Sequence, residues 1–253
     1  MNARTLAIAA LLPITPAMAA LSPADLAKAV ARPPVGAALP AGLSFPDLDG
    51  QRVTLGAVAG GHPLVLIFVD YTCRHVCAPG LALTAHALAL SGLRAGIDYR
   101  VAVIGIDPRD GAGAARAMTA KMGIDPVVAG ATKVLLGDPA ATPAAAKALG
   151  YGYAYDMDND QFAHDASVYV FAADGRLRAL LPELMLIPAS VKNALTGATA
   201  PPPSFADRVA HLCYGFAAAH GRFGHPIVIG LQALSACLLL ALGGFLWWRR
   251  RAA

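Results

Sequence analysis

Charge is scarce along this chain. Lysine and arginine hold 20 of its 253 positions and aspartate and glutamate 16, for a formal net charge of +4. Without Arg4 and the run Arg249-Arg250-Arg251 the two signs balance at 16 each. No basic face then remains to attract a nucleic acid backbone. Cysteine is scarce too: Cys73 and Cys77 form one close pair, and Cys213 and Cys237 are singles. That is not the dispersed framework that staples small exported domains. Internal repeats are absent, which excludes solenoids and propellers. The acidic run Asp156-x-Asp158-x-Asp160 begins like a calcium loop, but Gln161 and Ser167 stand where that loop needs glycine and glutamate.

Apolar residues, by contrast, make up 57% of the chain, enough to look first for export and membrane segments. Residues 1–19 join Arg4, an apolar stretch and Ala17-Met18-Ala19, the grammar of a cleavable secretory signal. Residues 226–248 carry no charge, and such a run as a helix crosses about 30 Å of hydrocarbon. Trp247 and Trp248 close it, and the three arginines follow at once. The positive-inside rule leaves the tail in the cytoplasm and everything before the span outside. The predicted location is a bacterial-type cell envelope, anchored in the inner membrane and facing the periplasm. Between the ends lie a lead-in (20–37), a domain (38–196), a proline-rich linker (197–204) and a juxtamembrane segment (205–225). In that last segment Phe205, Val209, Leu212 and Phe216 share one helical face.

Within the domain, Asp49-Gly50 between two short alternating runs predicts a hairpin over 44–55. Residues 64–69 form a continuous β-branched and aromatic run, as in a strand buried on both faces. A Leu/Ala-rich helix is predicted over 79–91, a second buried strand over 100–106 and a helix over 111–122. A short strand follows at 133–136, then a helix over 143–149 opened by Thr142 as cap and Pro143 at its first position. A hairpin over 168–180 turns at Asp174-Gly175, and a last helix covers 188–195. This order predicts an α/β fold of the thioredoxin-like type, a mixed sheet with flanking helices, plus a C-terminal transmembrane helix.

Cys73-Arg74-His75-Val76-Cys77 lies between the first buried strand and the following helix. The field of a helix N-terminus is expected to lower the thiol pKa values there. Disulfide exchange and soft-metal binding both use such thiolates, and a structural disulfide is a third use. Asp107 and Asp110 are expected near the pair, with Asp110 serving a turn and a helix cap. His75 reads as a loop residue or an auxiliary ligand, and His86 as structural or solvated. His211, Cys213, His220 and His225 cluster ahead of the span.

Three stretches narrow the choice. Residues 66–77 run from a strand into the C-x3-C pair, residues 104–110 end a strand in Asp107-Pro108-Arg109-Asp110, and residues 162–171 place His164 just ahead of a strand. In this order they resemble the Sco/SenC family, over about residues 38–195. Ala78 stands where that family commonly has proline. The resemblance implies that Cys73, Cys77 and His164 bind a copper ion, as Cu(I) or Cu(II). Two thiolates and an imidazole suit Cu(I), whereas zinc normally takes a fourth ligand. It further implies a chaperone that delivers copper to the binuclear site of a respiratory cytochrome c oxidase, its partner being the copper-bearing subunit. The alternative is a thiol-disulfide oxidoreductase, with Cys73 and Cys77 as the redox pair, that reduces the cysteines of that oxidase site or of another envelope protein. The Pro-x3-Thr-x2-Cys arrangement of peroxidatic cysteines is missing, because Val69 stands at the proline position and Thr72 adjoins Cys73.

Overall fold

The run Leu64–Val69 has no polar side to turn toward water, and all six of its residues are buried. The computed structural model describes residues 21–73, 77–120, 126–183 and 186–198. Their order is α1 (Pro23–Leu26), β1 (Ser44–Pro46), β2 (Arg52–Thr54), α2 (Leu55–Ala59), β3 (Leu64–Val69), α3 (Cys77–Ala89), β4 (Arg100–Gly105) and α4 (Ala112–Ala120). Then come α5 (Pro126–Gly130), β5 (Thr132–Leu135), α6 (Ala141–Leu149), β6 (Tyr153–Asp156), β7 (Gln161–His164), β8 (Ser167–Phe171), β9 (Leu177–Pro182) and α7 (Pro188–Thr196).

Five strands form the main sheet in the order β5-β4-β3-β8-β9. β3, β4 and β5 run parallel, and β8 and β9 return antiparallel. One face carries Ile67, Val69, Val101 and Val103 against α3 and α7 through Leu81, Leu88, Val191 and Leu195. The other carries Leu66, Phe68 and Ile104 against Ala145 and Leu149 of α6, with Phe45, Leu55 and Tyr169. Each large side chain so buried contributes about 1.5–3 kcal/mol relative to exposure. The expected hairpin at 44–55 is present, Ser44 pairing with Thr54 and Gly50 turning at a φ of 80°.

The helix predicted from residue 79 starts at Cys77. Pro79 does not delay it, because first-turn amides have no intrahelical acceptor and the missing N–H costs nothing there. The helix predicted at 143 starts at Ala141, and Thr142 is not its cap. Asp138 does that work: its Oδ1 accepts the amides of Ala140 (2.9 Å) and Ala141 (2.7 Å), while Thr142 Oγ1 accepts the Asp138 amide at 2.9 Å. The region ahead of His164 is a separate antiparallel hairpin, β6–β7, in which Tyr153 pairs with His164. Its turn holds the rejected calcium-loop aspartates, with Asp156 accepting the amides of Asp158 and Asn159. The lead-in contains α1, and Ala31 is buried. Among the described residues no helix is long and apolar enough to cross a membrane. The signal segment, His75, the juxtamembrane histidines, Cys213, Cys237 and the run 226–248 all lie outside the described residues.

Candidate metal and thiol site

The thiol pair sits where β3 gives way to α3. After Val69 the chain turns at once, the Cys73 amide donating to the Asp70 carbonyl at 3.1 Å. Asp70 holds this turn with its side chain, Oδ1 accepting both the amide (3.0 Å) and the hydroxyl (2.9 Å) of Thr72. Cys73 is half-buried, and Cys77 is buried among the side chains of β3, α3 and β4. No disulfide joins them. The expected depressed thiol pKa does not hold at Cys77. Its hydrogen bond with Cys73, and then burial, push the thiol well above the ordinary cysteine value, although the Asp70 amide works the other way. Burial in apolar surroundings raises a thiol and here outweighs the helix end, since Cys77 is packed in the core.

His164 reaches the same point from 87 residues further on, its Nε2 lying 3.3 Å from Cys77 Sγ. It ends β7, and three ties hold that hairpin to the domain. The first is Asp70 again, whose Oδ2 accepts the Phe162 amide at 2.8 Å. The second is Arg109, whose guanidinium lies 4.8 Å over the Tyr155 ring and reaches Asp160 Oδ1 at 3.0 Å. The third is Tyr151, whose hydroxyl stands 2.7 Å from His164 Nδ1.

Buried carboxyl groups surround the pair. Burial raises Asp107, but the Arg109 guanidinium and amide outweigh it and hold the group below the usual range. Asp107 is thus the inner half of an ion pair. Asp110 does close a turn, its amide donating to the Asp107 carbonyl at 3.2 Å. Its carboxyl turns inward toward the amides of Tyr71 and Thr72, and burial, then Asp70 and Asp107, push it up to about 6. Glu183, just past β9, is 4% exposed and lies against Gly80 in the first turn of α3. Burial, helped by the Asp165 charge, pushes it up to about 8. His86 faces solvent.

The structure thus brings Cys77 and His164 together and lays Cys73 against Cys77. Two sulfurs and an imidazole nitrogen are a donor set for a soft cation of low coordination number. Among the described residues no three cysteine, histidine, aspartate or glutamate side chains are grouped closely enough to hold a metal ion as they stand. Sequence reasoning missed Asp70, Tyr151 and Glu183. A charged residue ending a fully apolar strand, and a tyrosine between two glycines, were the available signals.

A mixed sheet of this order, with a cysteine pair where its central parallel strand meets a helix, defines a thioredoxin-like domain carrying thiols at its working edge. The chain belongs to the SCO1/SenC family, whose model matches residues 37–198. Among solved structures it is similar to a SCO1/SenC family lipoprotein from Bacillus anthracis str. Ames, at 18% identity and a TM-score of 0.52, covering 61% of this chain and 91% of that one. It is similar to Arabidopsis thaliana ScoI, solved with copper bound, at 19% identity and a TM-score of 0.51, covering 65% and 98%. BsSco, a member of the Sco family of cytochrome c oxidase assembly proteins in which a disulfide switch was identified, aligns at 19% identity and a TM-score of 0.51, covering 66% and 96%. At these identities the likeness is one of fold. Comparison with curated proteins found no match.

Proposed function

We propose that this protein takes up Cu(I) outside the cytoplasm through Cys73, Cys77 and His164 and hands it to the copper-bearing subunit of a cytochrome c oxidase. The observation that carries the reading is the 3.3 Å approach of His164 Nε2 to Cys77 Sγ across 87 residues of sequence. Family membership supports it, as do the copper-bound Arabidopsis relative and the oxidase assembly role stated for BsSco. Uptake replaces both thiol protons by one cation, so the protons leave and the site ends with one net negative charge. The Cys73 hydrogen bond and burial raise the Cys77 thiol, so the cation competes with that proton and uptake depends on pH. The donors must also draw together, since they do not enclose a metal position as they stand. Export behind residues 1–19 and anchoring at 226–248 belong to this reading and are supported by the charge-free run and the arginines that follow it.

The hydrogen-bonded thiol pair favours a second reading, reduction of a recipient disulfide, in which one thiol attacks and the other resolves. One variant separates the two. His164→Ala is expected to weaken Cu(I) retention against a competing chelator by about 10-fold or more, equivalent to about 1.4 kcal/mol. Thiol labelling should show that reduction of a recipient disulfide persists in the same variant. Unchanged retention would remove His164 from the site and leave the oxidoreductase reading.

A further inference from the structure

Residues 28–33 precede the stretch matched by the family, yet they lie against the glycines on either side of Tyr151 and against Asp165, the neighbour of the histidine. The Arg32 amide donates to the Gly150 carbonyl at 2.7 Å, and the Ala31 amide to Asp165 Oδ2 at 3.1 Å. Two glycines admit this strap. A Cβ on Gly152 would meet the Lys28 carbonyl oxygen at 1.7 Å, and one on Gly150, where φ is +60°, would meet the Arg32 oxygen at 2.0 Å. Between them stands Tyr151, buried, its ring stacked on Phe68 of β3 with centroids 4.3 Å apart. Its hydroxyl is 2.7 Å from His164 Nδ1 and 3.1 Å from the Asp165 carbonyl oxygen, and that oxygen is itself 3.0 Å from Nδ1.

Donor and acceptor counting leaves one arrangement. A carbonyl oxygen only accepts, and the tyrosine hydroxyl has one proton to give. Were that proton given to Nδ1, the imidazole lone pair and the carbonyl lone pairs would meet at 3.0 Å with no hydrogen between them. If the hydroxyl donates to the Asp165 carbonyl instead, Nδ1–H donates toward the tyrosine oxygen and the same carbonyl, and every group is satisfied. Nε2 then carries the lone pair and faces Cys77.

We propose that Tyr151, backed by the strap at residues 28–33, is a positioning residue for His164: its hydroxyl gives Nδ1–H a second acceptor beside the Asp165 carbonyl, which stabilises that tautomer, and it aims Nε2 at the thiol pair. Phe68 links the tyrosine ring to the central strand, so a histidine on a separate two-stranded hairpin inherits the rigidity of the main sheet. Partners of this kind fix ring orientation and raise ligand basicity at metal-bound histidines generally. The consequence for metal rests on the copper reading; the tautomer does not.

The test is imidazole 15N NMR on the reduced protein with His164 neutral, paired with Cu(I) retention against a chelator. Tyr151→Phe should populate the Nε2–H tautomer and weaken retention by about 10-fold. Ala31→Pro removes the amide that faces Asp165 without touching Gly150–Gly152, and should shift both readouts the same way by less. Arg94→Ala, whose guanidinium serves Asp98 on the surface, should match wild type. A His164 that stays wholly Nδ1–H in Tyr151→Phe overturns the proposal whatever copper does, and a wild-type tautomer in Ala31→Pro overturns the strap's part. A wild-type protein that retains no Cu(I), with a tautomer that still shifts in Tyr151→Phe, supports the positioning role and overturns the copper reading alone.

Discussion

The two halves of the site are held in different ways. Cys73 and Cys77 lie at the end of the most buried strand of the main sheet and the start of the helix packed on it. His164 lies at the end of a two-stranded hairpin that shares no ladder with that sheet. The thiol half is fixed by elements adjacent in sequence. The histidine half depends on ties from remote residues: Asp70 to Phe162, Arg109 to Asp160, and Phe68 through Tyr151. An arrangement of this kind can keep the sulfurs in place while the imidazole is adjusted by the residues behind it.

The largest test of that contrast is Phe68→Ala. Phe68 is 2% exposed and supports Tyr151 from the central strand. The truncation is expected to cost about 3–5 kcal/mol in denaturant unfolding. Amide exchange in β6 and β7 should accelerate more than in α3, because the histidine half loses its anchor as well as its share of the core. Equal acceleration in both halves would erase the distinction.

Next in size is Glu183→Gln, which probes the thiol half through pH. The folded protein holds the Glu183 proton up to about pH 8, whereas the carboxyl's ordinary value is 4.5. Between those values the native state binds more protons than the unfolded chain, so this group's contribution to stability is full below about pH 4.5. It is lost progressively as pH rises to about 8. The slope is about 1.4 kcal/mol per pH unit. Glu183→Gln should flatten the unfolding free energy across that window, and an unchanged slope would remove Glu183 as its source.

The smallest expected effect comes from Asp70→Asn, which cuts the one side chain that both halves share. An amide replaces one of two acceptor oxygens and opposes a donor, either at Thr72 or at Phe162, at a cost of about 1–3 kcal/mol. Exchange at the Phe162 amide will show which half gives way. If the hairpin is the weaker partner, that amide loses protection while the turn before Cys73 keeps its own.

What the sequence by itself determined is the order of elements and the place of the thiols. An apolar run as continuous as Leu64–Val69 has one stable location, and Asp49-Gly50 and Asp174-Gly175 have one kind of turn, so local chemistry was enough. The three motifs were enough to name His164 through a family resemblance, though not to say what holds it. Tertiary structure alone decided the rest. The Cys77 proton affinity follows from the sulfur and the core packed around it, not from its helix position. The β6–β7 hairpin is half-buried and shares no ladder with the main sheet, so Tyr153-Ala154-Tyr155 carried only a weak strand signal. The contact of Tyr151 with His164, and of residues 28–33 with Gly150, Gly152 and Asp165 beside them, joins groups remote along the chain. Hydrogen bonds between such groups leave no periodicity to read; they exist only once the sheet has brought the partners together.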